Sequence, residues 1–174
     1  MKKIIFFLFV FFISFNFIYS QSLPGKEIRN REIEWTDFSG KIDQTSPWDA
    51  VTNWTTLYSF AAPNFEGDKA RVTITVRLFL KSDSWTKPNK QTPRLLEHER
   101  GHFNIGRICA DEIESTINTM SFDRNNYHKQ IDEVYWKIIE KYKEINAQYE
   151  RETDHYKNIE QQKKWNKKLN SLLK

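Results

Sequence analysis

The sequence predicts an α+β single domain: a small antiparallel sheet, a helix carrying paired histidines, and a long helical C-terminal segment. Three observations lead there. All five prolines and all five glycines lie between Pro24 and Gly106, so nothing after Arg107 breaks a helix. Between Arg71 and Leu80, apolar Val72, Ile74, Val76, Leu78 and Leu80 alternate with Arg71, Thr73, Thr75, Arg77 and Phe79, the period of a strand with one buried face. From Pro93 onward the apolar residues recur at helical spacing instead.

Residues 1–20 read as a secretory signal peptide. Lys2 and Lys3 form a basic start, and Ile4 to Tyr19 is an apolar run broken only by Ser14 and Asn16. That run is shorter than a membrane-spanning helix requires, and small Ser20 before Gln21 suits cleavage. The mature domain is expected to cover residues 21–174 and to be exported, periplasmic or secreted; retention as an N-terminal anchor is the alternative. Loss of Lys2 and Lys3 lowers the formal charge from +4 to +2, leaving no large basic field for nucleic acid. One cysteine, Cys109, cannot form an internal disulfide, and its place in an apolar pattern marks it as small core filler.

Within the domain, Arg71–Leu80 is the clearest strand, Thr52–Phe60 a second and Glu32–Trp35 a weaker third. Ser39-Gly40, Pro63-Asn64 and Gly67-Asp68 supply turns, and such short connections favour antiparallel pairing. A loop from Ser82 to Gln91 leads to Thr92, a good N-cap, and Pro93, which fits the first helical position. Leu95, Leu96, Phe103, Ile105, Cys109, Ile113, Ile117 and Met120 carry this helix to about Thr119. A second helical stretch starts near Asp123, with a stripe of Ile131, Val134, Tyr135, Ile138, Tyr142, Ile145 and Tyr149. From about Lys157 the chain is a basic helical tail, anchored by Trp165, Leu169 and Leu172.

Inside the first helix stands His98-Glu99-Arg100-Gly101-His102. Histidines four apart lie one turn apart on one helix face. That geometry suits two of the three protein ligands of a catalytic Zn²⁺, with a fourth position left for water. Glu99, on the adjoining face, can take a proton from a metal-activated water and pass it to a leaving amine. Gly101 and Gly106 each cost about 1 kcal/mol in a helix interior, which points to close approach by another element or by substrate, with a tolerated defect the alternative for either. The third ligand is open. Asp111 points away and Glu112 lies too far along the axis, leaving the cluster Glu150, Glu152, Asp154 and His155. An unbroken helix places Glu152 and Tyr156 on the stripe through Tyr149 and His155 about 120° from it, so periodicity favours Glu152 unless the helix ends near Thr153.

Four segments, in order, resemble one family: Glu34–Gly40, Ser84–Lys87, Leu95–Phe103 and Tyr149–His155, with Gln162 and Trp165 following. The chain is similar, from about Trp35 to Trp165, to the bacterial family known as domain of unknown function 922, described as secreted zinc-dependent proteases. The resemblance implies a zincin-like metallohydrolase fold. It matches Thr153 and His155 to the family's C-terminal motif and makes His155 the first choice as third ligand. The sequence departs from the family pattern at Asn104 and Glu150, where Asp is expected, and at Tyr156, where Gly is expected. A tyrosine there is expected to enter the cleft as a donor to a developing oxyanion.

The combined expectation is a Zn²⁺ peptidase of the HExxH type, acting on a peptide or protein substrate. Its ligands are His98, His102 and His155, with Glu152 the alternative, and its catalytic residues are Glu99 and Tyr156. The edge of strand Arg71–Leu80 is expected to align an extended peptide by β-addition. The basic tail is a candidate for weak contact with an anionic envelope surface. The rival is a non-catalytic exported metal-binding or envelope-interaction protein. Glu99 argues against it, since a structural site needs no carboxylate between its histidines and closes with a fourth protein ligand.

Overall fold

The computed structural model describes residues 24–173, so the signal peptide expected at 1–20 lies outside the described residues. The elements run β1 (Gly25–Glu27), β2 (Ala50–Val51), β3 (Trp54–Phe60), β4 (Asn64–Glu66), β5 (Lys69–Arg71), β6 (Ile74–Lys81) and β7 (Trp85–Thr86). Then follow α1 (Pro93–Thr119), β8 (Phe122–Asp123), α2 (Tyr127–Thr153) and α3 (Ile159–Leu172). The result is α+β, with every strand pairing antiparallel. None of these helices is long and apolar enough to cross a membrane.

The main sheet has the order β1-β6-β3, with Trp54 opposite Leu80 and Phe60 opposite Ile74. Ile74, Val76, Leu78 and Leu80 are buried, as their alternation requires, and face α1. The expected strand Arg71–Leu80 is two strands. Val72 and Thr73 carry the chain from β5, which pairs with β4 and β8, into β6 of the main sheet. Nor does β6 offer an edge for an incoming peptide. It is the central strand, and side chains of α1 seal its remaining backbone: Ile74 N–H donates to Asn118 Oδ1 (2.7 Å) and Val76 N–H to a Glu114 oxygen (2.8 Å).

Glu32–Trp35 is not a strand. Ile33 is a buried plug, and Trp35–Asp37 forms one turn of 3-10 helix because the Asp37 carboxylate turns back to accept Glu34 N–H (2.9 Å). The Arg31 guanidinium holds that carboxyl well below the usual range against the opposing effect of burial, and Lys26 adds to it.

Helix α1 follows its sequence signals. Thr92 Oγ1 accepts Leu95 N–H at 3.2 Å, Pro93 opens the first turn, and the helix ends at Thr119. Gly106 marks the close approach of α1 to the sheet and Gly101 its crossing with α2. A Cβ on Gly106 would sit 2.8 Å from the Trp54 ring, and one on Gly101 would overlap the Tyr149 hydroxyl. Cys109 is fully buried core, and burial pushes its thiol up to about 12.

The C-terminal segment is two helices rather than one. Asp154, His155 and Tyr156 all adopt positive φ (46°, 51°, 66°), which ends α2, and Asn158 then caps α3 by accepting Gln161 N–H at 3.1 Å. The basic tail is therefore part of the fold. Gln162, Trp165 and Leu169 are buried while the intervening lysines face outward. Trp165 is held inside the fold, its indole N–H donating to Glu152 (2.7 Å).

Candidate metal centre

His98 and His102 lie on the buried face of α1, 2% and 7% exposed, with their Nε2 atoms 3.2 Å apart. Opposite them α2 presents the face on which Asn146, Tyr149, Glu150 and Thr153 recur at helical spacing. Glu150 Oε2 lies 3.0 Å from His98 Nε2 and 2.9 Å from His102 Nε2. These three side chains form the group able to hold a metal ion among the described residues.

The far sides of both imidazoles are fixed. His98 Nδ1 lies 3.1 Å from Gln162 Oε1 and His102 Nδ1 2.8 Å from Asn146 Oδ1. The Gln162 amide is oriented by its own donors, which reach Tyr149 Oη (2.7 Å) and Asn166 Oδ1 (2.8 Å). An amide oxygen only accepts, so each Nδ1 carries the proton and each Nε2 lone pair turns towards Glu150. Two lone pairs and a carboxylate oxygen then converge without a donor between them. Such a point could hold a cation, and two imidazoles with one carboxylate are a known donor set for zinc. A proton can partly fill that role. Burial pulls His102 down, yet the contacts with Glu150 and Glu99 raise it overall. Burial likewise opposes ionisation of Glu150, but the two imidazoles hold its carboxyl far below the usual range.

Glu99 is 3% exposed, and its Oε2 is buried with no hydrogen-bond partner. It lines two recesses, one shared with His98, Glu150, His155 and Tyr156, the other with His102, Asn146, Glu150 and Trp48. The second is the larger, at about 250 Å³. An unpaired buried carboxylate oxygen is costly, and its position beside the convergent donors fits a metal-bound solvent molecule. Tyr149 ties the two helices behind this group: its ring stacks on His98, its hydroxyl donates to the His98 carbonyl (2.9 Å), and burial raises it far above the ordinary phenol range. Thr153 Oγ1 donates to the Tyr149 carbonyl (2.7 Å).

The remaining expected site residues lie around this core in different roles. His155 stands outside the triangle; its Nδ1 hydrogen-bonds the other oxygen of Glu150 and its ring packs on Trp48, 3.9 Å between centroids. Glu152 is turned away, accepting from Gln148 and Trp165 at 2.7 Å each. Tyr156 is beside the recess, but its hydroxyl donates to Asp49 Oδ2 (2.7 Å), and that bond, with burial, raises it above an ordinary phenol. Its φ of 66° is left-handed, a conformation that the glycine expected here from the resemblance adopts freely and a tyrosine adopts only under strain. Asn104 is buried two residues beyond the motif, within 3.4 Å of Arg107.

By sequence, Glu150 is one of four candidates for the third ligand, but the resemblance selects His155, periodicity offers Glu152 as the alternative, and Asn146 and Gln162 receive no role at the metal. A signal existed: Tyr142, Asn146, Tyr149, Glu150 and Thr153 share one face, and Glu150 is the carboxylate on it. Extrapolating the stripe three residues beyond Tyr149 selected Glu152 instead.

No match was found among curated proteins or among solved structures. The family described as bacterial protein of unknown function (DUF922) matches residues 28–156, a span that holds both histidines, Glu99, Glu150 and His155. The chain is a member of that family.

Proposed function

We propose that the protein is an exported zinc-dependent metallohydrolase, a peptidase that cleaves peptide or amide bonds. The observation that carries this reading is the convergence of His98 Nε2, His102 Nε2 and Glu150 Oε2 beside the unpartnered Glu99 Oε2. In this reading His98, His102 and Glu150 hold the metal, and His155 supports Glu150 from behind. When bound, zinc supplies Lewis acidity: it lowers the pKa of a water and polarises a carbonyl. Glu99 accepts the water proton and returns it to the leaving amine. Gln162 and Asn146 keep both Nε2 atoms aimed at one point, and Tyr149 fixes the spacing of the helices that carry them. Trp48 and Asp49, through His155 and Tyr156, close the His98 side, leaving access from the recess beside His102. The Tyr156 hydroxyl reaches a developing oxyanion by exchanging its bond to Asp49.

The test is Glu99→Gln. It should keep about one zinc per chain and lose turnover of a mixed peptide library by on the order of a thousandfold. Full activity in the variant would remove Glu99 from the mechanism. A wild-type protein that binds zinc and cleaves no peptide would instead favour a non-catalytic metal-binding role.

A further inference from the structure

We infer that the groove between the outer edge of β3 and helix α2 receives an extended, apolar-rich polypeptide segment as an added strand, with one end at the metal centre. This rests on the peptidase reading above and names where its substrate lies.

The backbone of β3 provides the first argument. Lys81 N–H donates to the Asn53 carbonyl (2.9 Å), so residues at that phase of β3 bond to β6. Trp54, Thr56 and Tyr58 are the alternate residues, whose N–H and C=O groups point to the opposite edge. Only the Thr56 carbonyl is used there, by the Tyr135 hydroxyl at 2.7 Å; among the described residues the Trp54 and Tyr58 backbone groups on that edge have no partner. Thr56 is itself buried and already bonded, so the free groups are those of Trp54 and Tyr58 on either side of it, spaced to pair with another extended backbone.

The walls provide the second. A groove of about 510 Å³ runs along β3 from Thr52 to Tyr58, a length that holds about six extended residues. It is bordered by Leu57 and Trp136, 43% and 56% exposed, and by Ile139. Two large apolar side chains held open beside a strand edge select apolar residues in the incoming segment. The hydrogen bond from Tyr58 to Asp132 bridges the walls at the end away from the metal.

Continuity provides the third. Thr52, Asn53 and Asn146 line both this groove and the recess that contains Glu99, His102 and Glu150. Asn146 also holds His102. The buried Thr52 hydroxyl, at the junction, has no partner of its own.

The experiment uses zinc-loaded full-length Glu99→Gln and two fluorophore-labelled pools of N-acetylated, C-amidated hexapeptides. One pool has Leu, Val, Phe or Tyr at alternate positions and the other has Lys or Glu there. The apolar pool should bind, and adding Trp136→Ala or Leu57→Ser should weaken it about fivefold or more, with zinc content and helicity unchanged. N-methylating every second backbone nitrogen should cost about tenfold in one phase and little in the other, the signature of strand pairing. Unchanged affinity in both variants, equal losses in both phases, or no binding of the apolar pool would overturn the groove assignment. If the wild type cleaves these peptides with kcat/KM untouched by Trp136→Ala and Leu57→Ser, the groove falls and the peptidase reading stands. Phase-dependent binding without cleavage by the wild type supports the groove and removes the peptidase reading.

Discussion

The two halves of the candidate centre are built by opposite means. The α1 half is regular: a capped helix sets His98, Glu99 and His102 by its repeat alone. The α2–α3 corner is irregular. Glu150 sits in the last turn of α2, and the next three residues beyond Thr153 take left-handed backbone, at a cost of about 1–2 kcal/mol per non-glycine residue. Tertiary contacts hold the corner: Arg94 donates to the carbonyls of Tyr156 and Lys157, His155 packs on Trp48, and Tyr156 bonds Asp49. The half that is rigid by itself presents the imidazoles and Glu99, while the half held from outside presents Glu150. Variants in the corner should therefore divide sharply by what each side chain touches, whereas changes at His98 and His102 should both be severe.

The largest effects will be on metal content. His98→Ala and His102→Ala should each abolish zinc retention. Glu150→Ala should come close to them. His155→Ala, which removes a support of Glu150, should cost about 10–100-fold in affinity, and Glu152→Ala should change nothing beyond assay scatter. Competitive chelator titration measures all five. If His155→Ala costs more than Glu150→Ala, then His155 and not Glu150 is the third ligand, and the corner rearranges around the metal.

That comparison also separates what was legible in the sequence from what was not. The α1 boundaries, its cap, the buried alternation of β6 and the need for close packing at Gly101 and Gly106 are local consequences of residue type, and the structure has them. The place of His155 follows from where α2 stops, and nothing in Arg151–Tyr156 announces a stop, for it contains neither Gly nor Pro. The family likeness carried the hint in its expected glycine at position 156, a left-handed position in the structure. The split of Arg71–Leu80 between two sheets was hidden for the same kind of reason: Val72 is buried, so the alternation continues while the pairing partner changes. The edge available to a peptide is consequently β3's, since pairing order is a tertiary fact.

Intermediate effects fall on stability. Gly101→Ala gains about 1 kcal/mol of helix propensity but pushes a methyl into the Tyr149 hydroxyl and the ring carbon that bears it. Overpacking of about 1–3 kcal/mol should win, so urea unfolding should show net destabilisation. Adding Tyr149→Phe should return part of it. A stabilised Gly101→Ala would mean that Tyr149 yields easily and does not set the helix spacing. In the corner, Asn158→Ala removes the α3 cap and should cost about 1 kcal/mol. Because α3 carries Gln162, the same change should lower zinc affinity by a few-fold, whereas loss of a cap far from the site would not. Unaltered zinc affinity would show that Gln162 is positioned by α2 through Tyr149 alone.

The smallest effect on the centre belongs to the outer face of α3. Lys163, Lys164, Lys167 and Lys168 are exposed, Lys164 pairs with Glu160 at 2.8 Å, and Lys168 lies over the Trp165 ring at 4.3 Å. Exposed pairs of this kind contribute about 0–1 kcal/mol. Changing all four to Gln should therefore leave zinc content unaltered and stability within about 1 kcal/mol. What the change should remove is a weak contact of this face with an anionic envelope surface, where each lysine contributes about 1 kcal/mol at low salt. Flotation with phosphatidylglycerol vesicles, against phosphatidylcholine alone, measures it. The wild type should bind the anionic vesicles and release at raised salt, and the variant should bind neither. Since the buried face of α3, through Gln162, Trp165 and Leu169, is what reaches the centre, binding and zinc affinity should vary independently across single-lysine variants. Equal vesicle binding by both proteins, or none by the wild type, would reduce this face to solvated helix and leave α3 a purely internal brace for His98.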